Sequence, residues 1–265
     1  MTTELAADGP VFDAAAAWRA DVIRELGLRG AERSAAASPM AGFPQLLDFV
    51  SRTLGAHAPR RGAWIDVGAG LGGVADWIKR TTRHETFAFE PAPGSVDASR
   101  RLFPLLPATQ AVAACLPLRT GCVGAVMVNG VVSLLDDLDG LFDEVSRVVR
   151  PDGVVAVADL WSTTDTTLRR SPNVFWSMEE LVQEARGRGF ELLDAATCTV
   201  GTGWWQDAAI QVAEVIRQEC RDRPGFDAWE ADQRHIAEIL DDSLVMPGAC
   251  SFRRRSSAVP APEST

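Results

Sequence analysis

The stretch WIDVGAGLGG, residues 64–73, is the part of the sequence that most limits the fold. Its first half is almost entirely apolar, as in a buried strand, and its second half contains four glycines ahead of a predicted helix. Gly68, Gly70 and Gly73 fit the spacing G-x-G-x-x-G. Glycines let the backbone approach a ligand closely, and the first turn of a helix offers free N–H groups. The turn is therefore predicted to bind a ligand, and its shape alone suits the pyrophosphate of a dinucleotide.

A single carboxylate, Asp66, interrupts the apolar run two residues before Gly68. A dinucleotide gives no role to an acid at this strand position, and burying a carboxylate without a partner is costly. A cationic ligand would supply the partner, and cofactors derived from methionine carry an ammonium group and a sulfonium. The alternative is that Asp66 accepts hydrogen bonds only from neighbouring backbone N–H groups, as is common beside glycines.

A second acid, Glu90, closes the next predicted strand. An acid at the end of that strand can accept hydrogen bonds from both hydroxyls of a ribose. Nicotinamide enzymes and adenosyl-cofactor enzymes share this arrangement, so Glu90 predicts a nucleoside without saying which one.

The composition limits the partners that we expect. The chain has 265 residues, of which 46% are hydrophobic, and a formal net charge of −10. Its only dense basic run is Arg253–Arg255, so no nucleic-acid partner is expected. The longest apolar stretch falls short of the ~18 residues of a membrane span, so no membrane partner is expected. Five widely spaced cysteines without a zinc-ligand pattern predict reduced thiols, a cytoplasmic protein and no metal.

Short apolar segments alternate with helical patterns along most of the chain. Strands are predicted at residues 63–67, 85–90, 109–114, 123–129, 153–161, 190–200 and 248–255. Such alternation predicts an α/β fold with a parallel sheet covered by helices, and ligands that bind beyond the carboxyl ends of its strands. Ser177 and Glu180 predict a capping box, and residues 32–42 are predicted to be a loop.

Four segments together resemble the class I S-adenosylmethionine-dependent methyltransferases, and within them the small-molecule enzymes of bacterial secondary metabolism. They are residues 64–73, with Asp66, Gly68, Gly70 and Gly72 on the first motif, and residues 88–91, 114–135 and 141–161. The resemblance spans about residues 60–200. It implies a Rossmann-like, doubly wound, seven-stranded sheet with an antiparallel last strand, and S-adenosylmethionine as cofactor with S-adenosylhomocysteine as product.

The resemblance also implies further cofactor-binding residues. Glu90 and Pro91 lie on the acidic second motif, and Val112 and Ala113 lie where the family contacts adenine. Family members often have Asp at the position of Val112, so here main-chain N–H groups near Ala113 would have to serve. Asn129 and Gly130 lie where the chain of family members passes the methionine part, although Asn-Gly also favours an ordinary turn.

The chain is predicted to divide into a core, a cover and a helical lid. The predicted divisions are a disordered tail at 1–10, an N-terminal helical cover at 11–58, the cofactor-binding core at 60–200, a helical lid at 203–245, the last strand at 247–255 and a second disordered tail at 256–265.

The acceptor is expected to bind under this lid. Indoles of Trp161, Trp176, Trp204 and Trp205 would make an apolar pocket, although each also suits ordinary core packing. His235 is the candidate general base because histidine titrates near neutrality, and Asp159 is a candidate base or substrate anchor. A surface or packing role is the alternative for His235.

The sequence thus predicts an enzyme that transfers a methyl group to an oxygen, nitrogen or carbon atom of a hydrophobic small molecule, in natural-product or antibiotic biosynthesis. The alternative is a protein of the same fold that binds the cofactor but acts as a cyclase or a binding module. A nicotinamide oxidoreductase is a third hypothesis, against which Asp66 argues. The sequence is compatible with a homodimer.

Overall fold

A seven-stranded sheet forms the centre of the molecule in the computed structural model, which describes residues 9–38, 43–199 and 204–255. The spatial order is β3-β2-β1-β4-β5-β9-β8. The strands are β1 (Ala63–Val67), β2 (Thr86–Glu90), β3 (Ala108–Gln110), β4 (Val123–Asn129), β5 (Val149–Ser162), β8 (Phe190–Thr197) and β9 (Val245–Arg254). Neighbours from β3 to β5 pair in parallel, and β9 is antiparallel to both β5 and β8. The predicted Rossmann-like sheet with an antiparallel last strand is confirmed.

Helices cover both faces of this sheet. They are α1 (Gly9–Glu25), α2 (Gly30–Ala36), α3 (Pro44–His57), α4 (Gly73–Thr82), α5 (Pro93–Leu102), α6 (Asp139–Val148), α7 (Met178–Gly187), α8 (Trp204–Glu219) and α9 (Phe226–Asp241). One hydrophobic cluster packs seven helices against one face of the sheet: α1, α2, α3, α4, α5, α8 and α9. A second cluster packs α6 and α7 against the other face. Because β1, β2, β4 and β5 run parallel to one another, their carboxyl ends meet at one edge of the sheet.

The structure differs from the sequence-based prediction in several local elements. The strand predicted at 109–114 is only the three-residue β3, and a turn follows it. Residues 30–36 form α2 rather than a loop, because Ser34, Ala35 and Ala36 are buried against the core. A short hairpin, β6 (Leu168–Arg170) with β7 (Asn173–Phe175), interrupts the connection between β5 and α7 and was not predicted. Both α2 and the β6–β7 hairpin are stabilised by packing against neighbouring elements, and local composition does not predict such packing.

The capping box predicted at the start of α7 is confirmed. Ser177 Oγ accepts the N–H of Glu180 at 3.2 Å, and Glu180 Oε2 accepts the N–H of Ser177 at 2.9 Å. Two N–H groups of the first helical turn, which have no partner inside the helix, are thereby satisfied.

The predicted cover and lid correspond to helices that pack on one another. In the described part of the chain, α8 packs against α1 and α2, and α9 packs against α1 and β9. The tail predicted at 256–265 lies outside the described residues, as do residues 1–8 of the other predicted tail, and α1 already begins at Gly9. Within the described ranges, no helix has the length and apolarity to cross a membrane.

Candidate cofactor site

The glycine-rich turn joins β1 to α4 at the carboxyl edge of the sheet. The N–H groups of Gly68 and Ala69 both donate to the carbonyl oxygen of Phe89 on β2, at 2.8 and 3.0 Å. Gly68, Gly70 and Gly72 have φ values of +71°, +52° and +83°, a region that favours glycine. The turn is thus tied to the strand that carries Glu90.

These three glycines differ in what surrounds them. A Cβ on Gly68 would lie 2.3 Å from Cγ2 of Val131, and one on Gly72 would lie 2.5 Å from Oγ of Ser99. A Cβ on Gly70 would meet no atom of the described chain within 4 Å. Gly68 and Gly72 are therefore required by packing, whereas the backbone at Gly70 is open to a ligand.

Asp66 is buried beneath the turn and faces Asn129 at the end of β4. Its side chain is only 1% exposed, and its Oδ1 accepts a hydrogen bond from Asn129 Nδ2 at 3.2 Å. Asp66 Oδ2 and Asn129 Oδ1 are buried and have no hydrogen-bond partner among the described residues. Burial raises the pKa of Asp66 to about 7, the Asn129 hydrogen bond opposes this rise, and the nearby charge of Glu90 adds to it. Two buried acceptors thus lack a donor at this point.

Glu90 is held in place by backbone donors from both sides. Its Oε2 accepts the N–H of Gly70 at 2.9 Å, and its Oε1 accepts the N–H of Ala92 at 3.1 Å. Burial raises the pKa of Glu90, and these two hydrogen bonds work against the rise. Each carboxylate oxygen can accept a further hydrogen bond. Both oxygens can therefore still bind vicinal hydroxyls.

The segment after β3, where adenine contacts are predicted, forms a tight turn beside Glu90. The N–H of Ala111 donates to the carbonyl oxygen of Glu90 at 3.1 Å, and Gln110 Nε2 donates to that of Pro91 at 3.0 Å. Val112 and Cys115 then pair across the turn, with Val112 more than a third exposed. The adenine role of Val112 and Ala113 stays a prediction, and the turn that contains them lies next to the predicted ribose site.

The residues at this edge fit a nucleoside cofactor with an amino-acid tail. The unpaired oxygens of Asp66 and Asn129 suit an ammonium group or a water that it binds, because both are acceptors without a donor. Glu90 suits the ribose, and the open backbone at Gly70 lies in the same turn. The free groups of Asp66, Asn129 and Glu90 are hydrogen-bond acceptors, and a pyrophosphate would offer them no donor. The residues therefore do not favour the dinucleotide that the glycine spacing alone suggested.

The buried Asp66 predicts a pH effect on the stability of the ligand-free protein. Burial raises its folded-state pKa from 3.8 to about 7, so the unfolded chain loses this proton at a lower pH than the folded protein does. The free energy of unfolding therefore falls as the pH rises from about 4 to about 7 and is regained as the pH falls from 7. Relative to Asp66→Asn, the wild type should gain about 1.4 kcal/mol in free energy of unfolding between pH 8 and pH 6. Chemical denaturation of both proteins at the two pH values measures this, and parallel pH curves would contradict it.

Asp159, a predicted base or anchor, lies at the same edge near the end of β5 and is 2% exposed. Its Oδ2 accepts the N–H of Ser133 at 3.1 Å, and its Oδ1 accepts the N–H of Leu160 at 2.7 Å. Burial raises the pKa of Asp159, and these backbone donors oppose the rise. Both oxygens are thus engaged by the backbone of the chain itself.

His235 lies on α9 and is partly buried. Its Nε2 is buried without a hydrogen-bond partner among the described residues, and none of the hydrogen bonds found there joins it to Asp66, Glu90 or the glycine turn. Its role as a general base stays a prediction.

The four predicted pocket tryptophans fall into three different situations. Trp161 is 1% exposed within the hydrophobic cluster on the α6 and α7 face, so its placement does not support a pocket role. Trp176 is partly exposed, and its indole N–H donates to the carbonyl oxygen of Leu135 at 3.3 Å. Trp204 and Trp205 begin α8, but their side chains lie outside the described part of the structure.

The comparison with known families agrees with this geometry. A family model described as a methyltransferase domain matches residues 65–157, which contain the glycine turn, Glu90 and Asn129. Residues 65–157 therefore resemble a methyltransferase domain. S-adenosyl-L-methionine is bound in one solved structure that shares this fold. No curated protein sequence matches the chain.

Solved structures share the fold of the methyltransferase domain at low identity. The cyclase SpnF has 17% identity and a TM-score of 0.65, over 79% of this chain and 82% of that one. Phosphoethanolamine N-methyltransferase 2 from Haemonchus contortus, in complex with S-adenosyl-L-methionine, has 15% identity and a TM-score of 0.59, over 81% and 53%. Geranyl diphosphate C-methyltransferase from Streptomyces coelicolor has 14% identity and a TM-score of 0.58, over 78% and 76%.

Sequence reasoning missed two residues that shape the cofactor site of the methyltransferase domain. Asp13 on α1 accepts the N–H of Gly94 at 2.8 Å, and its charge helps to raise the pKa of Glu90. Val131 covers Gly68. Neither position has a local signal, because its importance depends on contacts between distant segments.

Proposed function

We propose that this protein transfers the methyl group of S-adenosylmethionine to an oxygen, nitrogen or carbon atom of a hydrophobic small molecule, in natural-product biosynthesis. The observation that carries the proposal is the buried Asp66–Asn129 pair, whose two unpaired oxygens lie at the ends of β1 and β4, at the edge of the sheet where the glycine-rich turn begins. The match of the methyltransferase domain to residues 65–157 supports it independently.

The residues of the chain bind and orient, and the cofactor supplies a methyl group that its sulfonium has already activated. Glu90 accepts hydrogen bonds from the ribose, and Asp66 with Asn129 binds the ammonium end directly or through water. We propose that helices α1, α2, α8 and α9, which pack together on one face of the sheet, shield the reacting atoms from water. Orientation of two bound reactants contributes up to ~7–11 kcal/mol to lowering a barrier, so this mechanism does not depend on a strong acid or base.

The acceptor is placed at the same edge of the sheet, next to the 3₁₀ helix Val132–Leu134. Leu134 is 47% exposed there, and the partly exposed Trp176 is anchored to the following residue, Leu135. This apolar surface supports a hydrophobic acceptor. Structures with a similar fold are complexes with small molecules, phosphomonomethylethanolamine in one and a geranyl compound in another, which supports a small molecule here.

Two measurements test the proposed function. Titration calorimetry with S-adenosylhomocysteine should show binding, and NAD should show none. Incubation with methyl-labelled S-adenosylmethionine, at a concentration below saturation, and a metabolite extract should then move label into a small-molecule fraction that the Asp66→Asn protein labels much more slowly. Binding of NAD, or no binding of S-adenosylhomocysteine, would contradict the proposal.

A cyclase or binding module remains the second candidate, and the likeness to the cyclase SpnF favours it. It predicts S-adenosylhomocysteine binding without transfer of label to any fraction. Both candidates therefore predict binding of S-adenosylhomocysteine, and only the methyltransferase predicts transfer of the labelled methyl group.

His235 is proposed as the general base, since its buried Nε2 has no donor or acceptor partner in the described residues. We expect His235→Ala to lower kcat by about 10²-fold, within the range for general bases, without changing the affinity for S-adenosylhomocysteine. Steady-state kinetics with methyl-labelled S-adenosylmethionine and the metabolite fraction that accepts the label measure the rate, and a normal turnover number would exclude His235 as the base.

We also propose a cytoplasmic location, because all five cysteines are free.

A further inference from the structure

Asp159 is a buried carboxylate that holds the backbone of a neighbouring segment. One of its oxygens accepts the N–H of Ser133 and the other that of Leu160, at 3.1 and 2.7 Å. Hydrogen bonds to a charged acceptor are about twice as strong as those between neutral groups. Asp159 therefore anchors the segment of residues 131–135, which follows β4 and contains the 3₁₀ helix, to the end of β5.

The 131–135 segment is also held from its other side. Asn173 on β7 donates from Nδ2 to the carbonyl oxygen of Ser133 at 3.4 Å. Trp176 donates from its indole N–H to the carbonyl oxygen of Leu135 at 3.3 Å. The hairpin that sequence analysis missed thus helps to hold this segment in one position.

The 131–135 segment in turn contacts the cofactor site. Its first residue, Val131, packs so closely on Gly68 that an added Cβ there would lie 2.3 Å from Val131 Cγ2. The two preceding residues are Asn129, the partner of Asp66, and Gly130, whose N–H donates to the carbonyl oxygen of Ala158 at 2.8 Å. A displacement of the segment would therefore move Val131 relative to Gly68, while the bond of Gly130 holds Asn129 to β5.

We propose that Asp159 is a positioning residue, which holds the 131–135 segment so that Val131 stays on Gly68 and keeps the glycine-rich turn in place for the cofactor. The inference rests on the proposed function, since it takes the ligand of this site to be the methyl-donor cofactor. It replaces the role of base considered from the sequence. A base must face the proton that it removes, whereas both oxygens of Asp159 face backbone N–H groups of the chain.

The variant Asp159→Asn tests this role with little change in size. An amide puts an NH₂ group where one oxygen faced an N–H donor, so one anchor is lost and a buried donor has no partner. We expect the Kd of S-adenosylhomocysteine to rise about tenfold without acceptor present, which corresponds to the loss of one such hydrogen bond. At saturating cofactor, the fall in the rate of methyl transfer at low pH should be the same in Asp159→Asn as in the wild type, because Asp159 is not the base that becomes protonated. Unchanged affinity together with loss of that fall in rate would identify a base and overturn the proposal.

A second variant keeps the test valid if Asp159→Asn folds poorly. Asn173→Ala removes the hairpin-side hydrogen bond to the same segment and leaves Asp159 in place. We expect the Kd of S-adenosylhomocysteine to rise about threefold, as the loss of one weak neutral hydrogen bond predicts. An affinity equal to that of the wild type would overturn the proposal.

A stability-matched control separates positioning from general destabilisation. Val182→Ala removes volume from α7 in the hydrophobic cluster on the same face, away from the bonds of Asp159. It should lower the melting temperature without changing the affinity for S-adenosylhomocysteine. If it weakened binding as much as Asp159→Asn at a similar melting temperature, the positioning role would be overturned. Failure of the wild type to bind S-adenosylhomocysteine would instead contradict the proposed function itself.

Discussion

Replacement of Asp66 by asparagine is expected to weaken S-adenosylhomocysteine binding about 30- to 100-fold at pH 8, because a buried charge-assisted hydrogen bond is worth roughly 2–3 kcal/mol. The wild-type carboxylate is mostly ionised at pH 8, since its pKa is about 7. The side chain is 1% exposed and lies beside the unpaired oxygen of Asn129, so a bound ammonium group would meet two acceptors with little competition from water. An amide keeps the shape and removes the charge.

The fold of the Asp66→Asn protein should stay intact, because the wild-type carboxylate destabilises the ligand-free chain above pH 7. Circular dichroism and chemical denaturation check this, and calorimetry measures the affinity. Asp97→Asn is the matched control, since Asp97 is an exposed carboxylate on α5 that pairs with Arg100 at 3.4 Å. It should bind as the wild type does. An Asp66→Asn protein with wild-type affinity would show that the cofactor does not use this acid.

Gly73→Ala is expected to be the most destabilising single substitution near the cofactor site. An added Cβ would lie 2.3 Å from the carbonyl oxygen of Ser34 and 2.7 Å from the nitrogen of Ser38. These atoms are backbone, so α2 would have to move away from α4. We expect the free energy of unfolding to fall by about 3 kcal/mol, the upper part of the range for overpacking, and the melting midpoint to fall by about 5–10 °C.

Gly187→Ala is the matched control for this prediction. A Cβ on Gly187, the last residue of α7, would meet no described atom within 4 Å, and alanine favours helix over glycine by up to about 1 kcal/mol. Its stability should be unchanged or slightly higher. Thermal and chemical denaturation compare the two variants, and equal stability of Gly73→Ala and the wild type would show that the α2–α4 contact can relax.

Gly73 also shows what a spacing pattern leaves out. It fits third in the dinucleotide-type spacing G-x-G-x-x-G, which gives no packing reason for a glycine there. In the structure the backbone at Gly70 is open, whereas the backbone of residues 34–38 lies against Gly73 and leaves no room for a side chain. That backbone belongs to residues that the sequence predicted to be a loop. Their small side chains carry little helical signal, and only burial against the core stabilises α2.

The pair of Asp66 and Asn129 illustrates the same limit for the site. Sequence reasoning identified both residues and expected an unusual partner for the acid, but they lie 63 residues apart in the chain. Their hydrogen bond depends on the register that places Asp66 opposite Met127, two residues before Asn129, in the β1–β4 ladder. A shift of that register by one residue would turn Asn129 to the other face of the sheet. No pattern within either strand specifies this register.

Local patterns were sufficient for the alternation of strands and helices, the position of the glycine turn and the acids at the ends of β1 and β2. Side-chain periodicity and glycine content act over a few residues, and each segment therefore carries its own signal. Long-range packing was needed for the rest: the helix at 30–36, the hairpin before α7, the burial of Trp161 and the anchoring of residues 131–135 by Asp159. Each of these depends on contacts between segments that are distant in the chain, and such contacts exist only once the sheet has assembled.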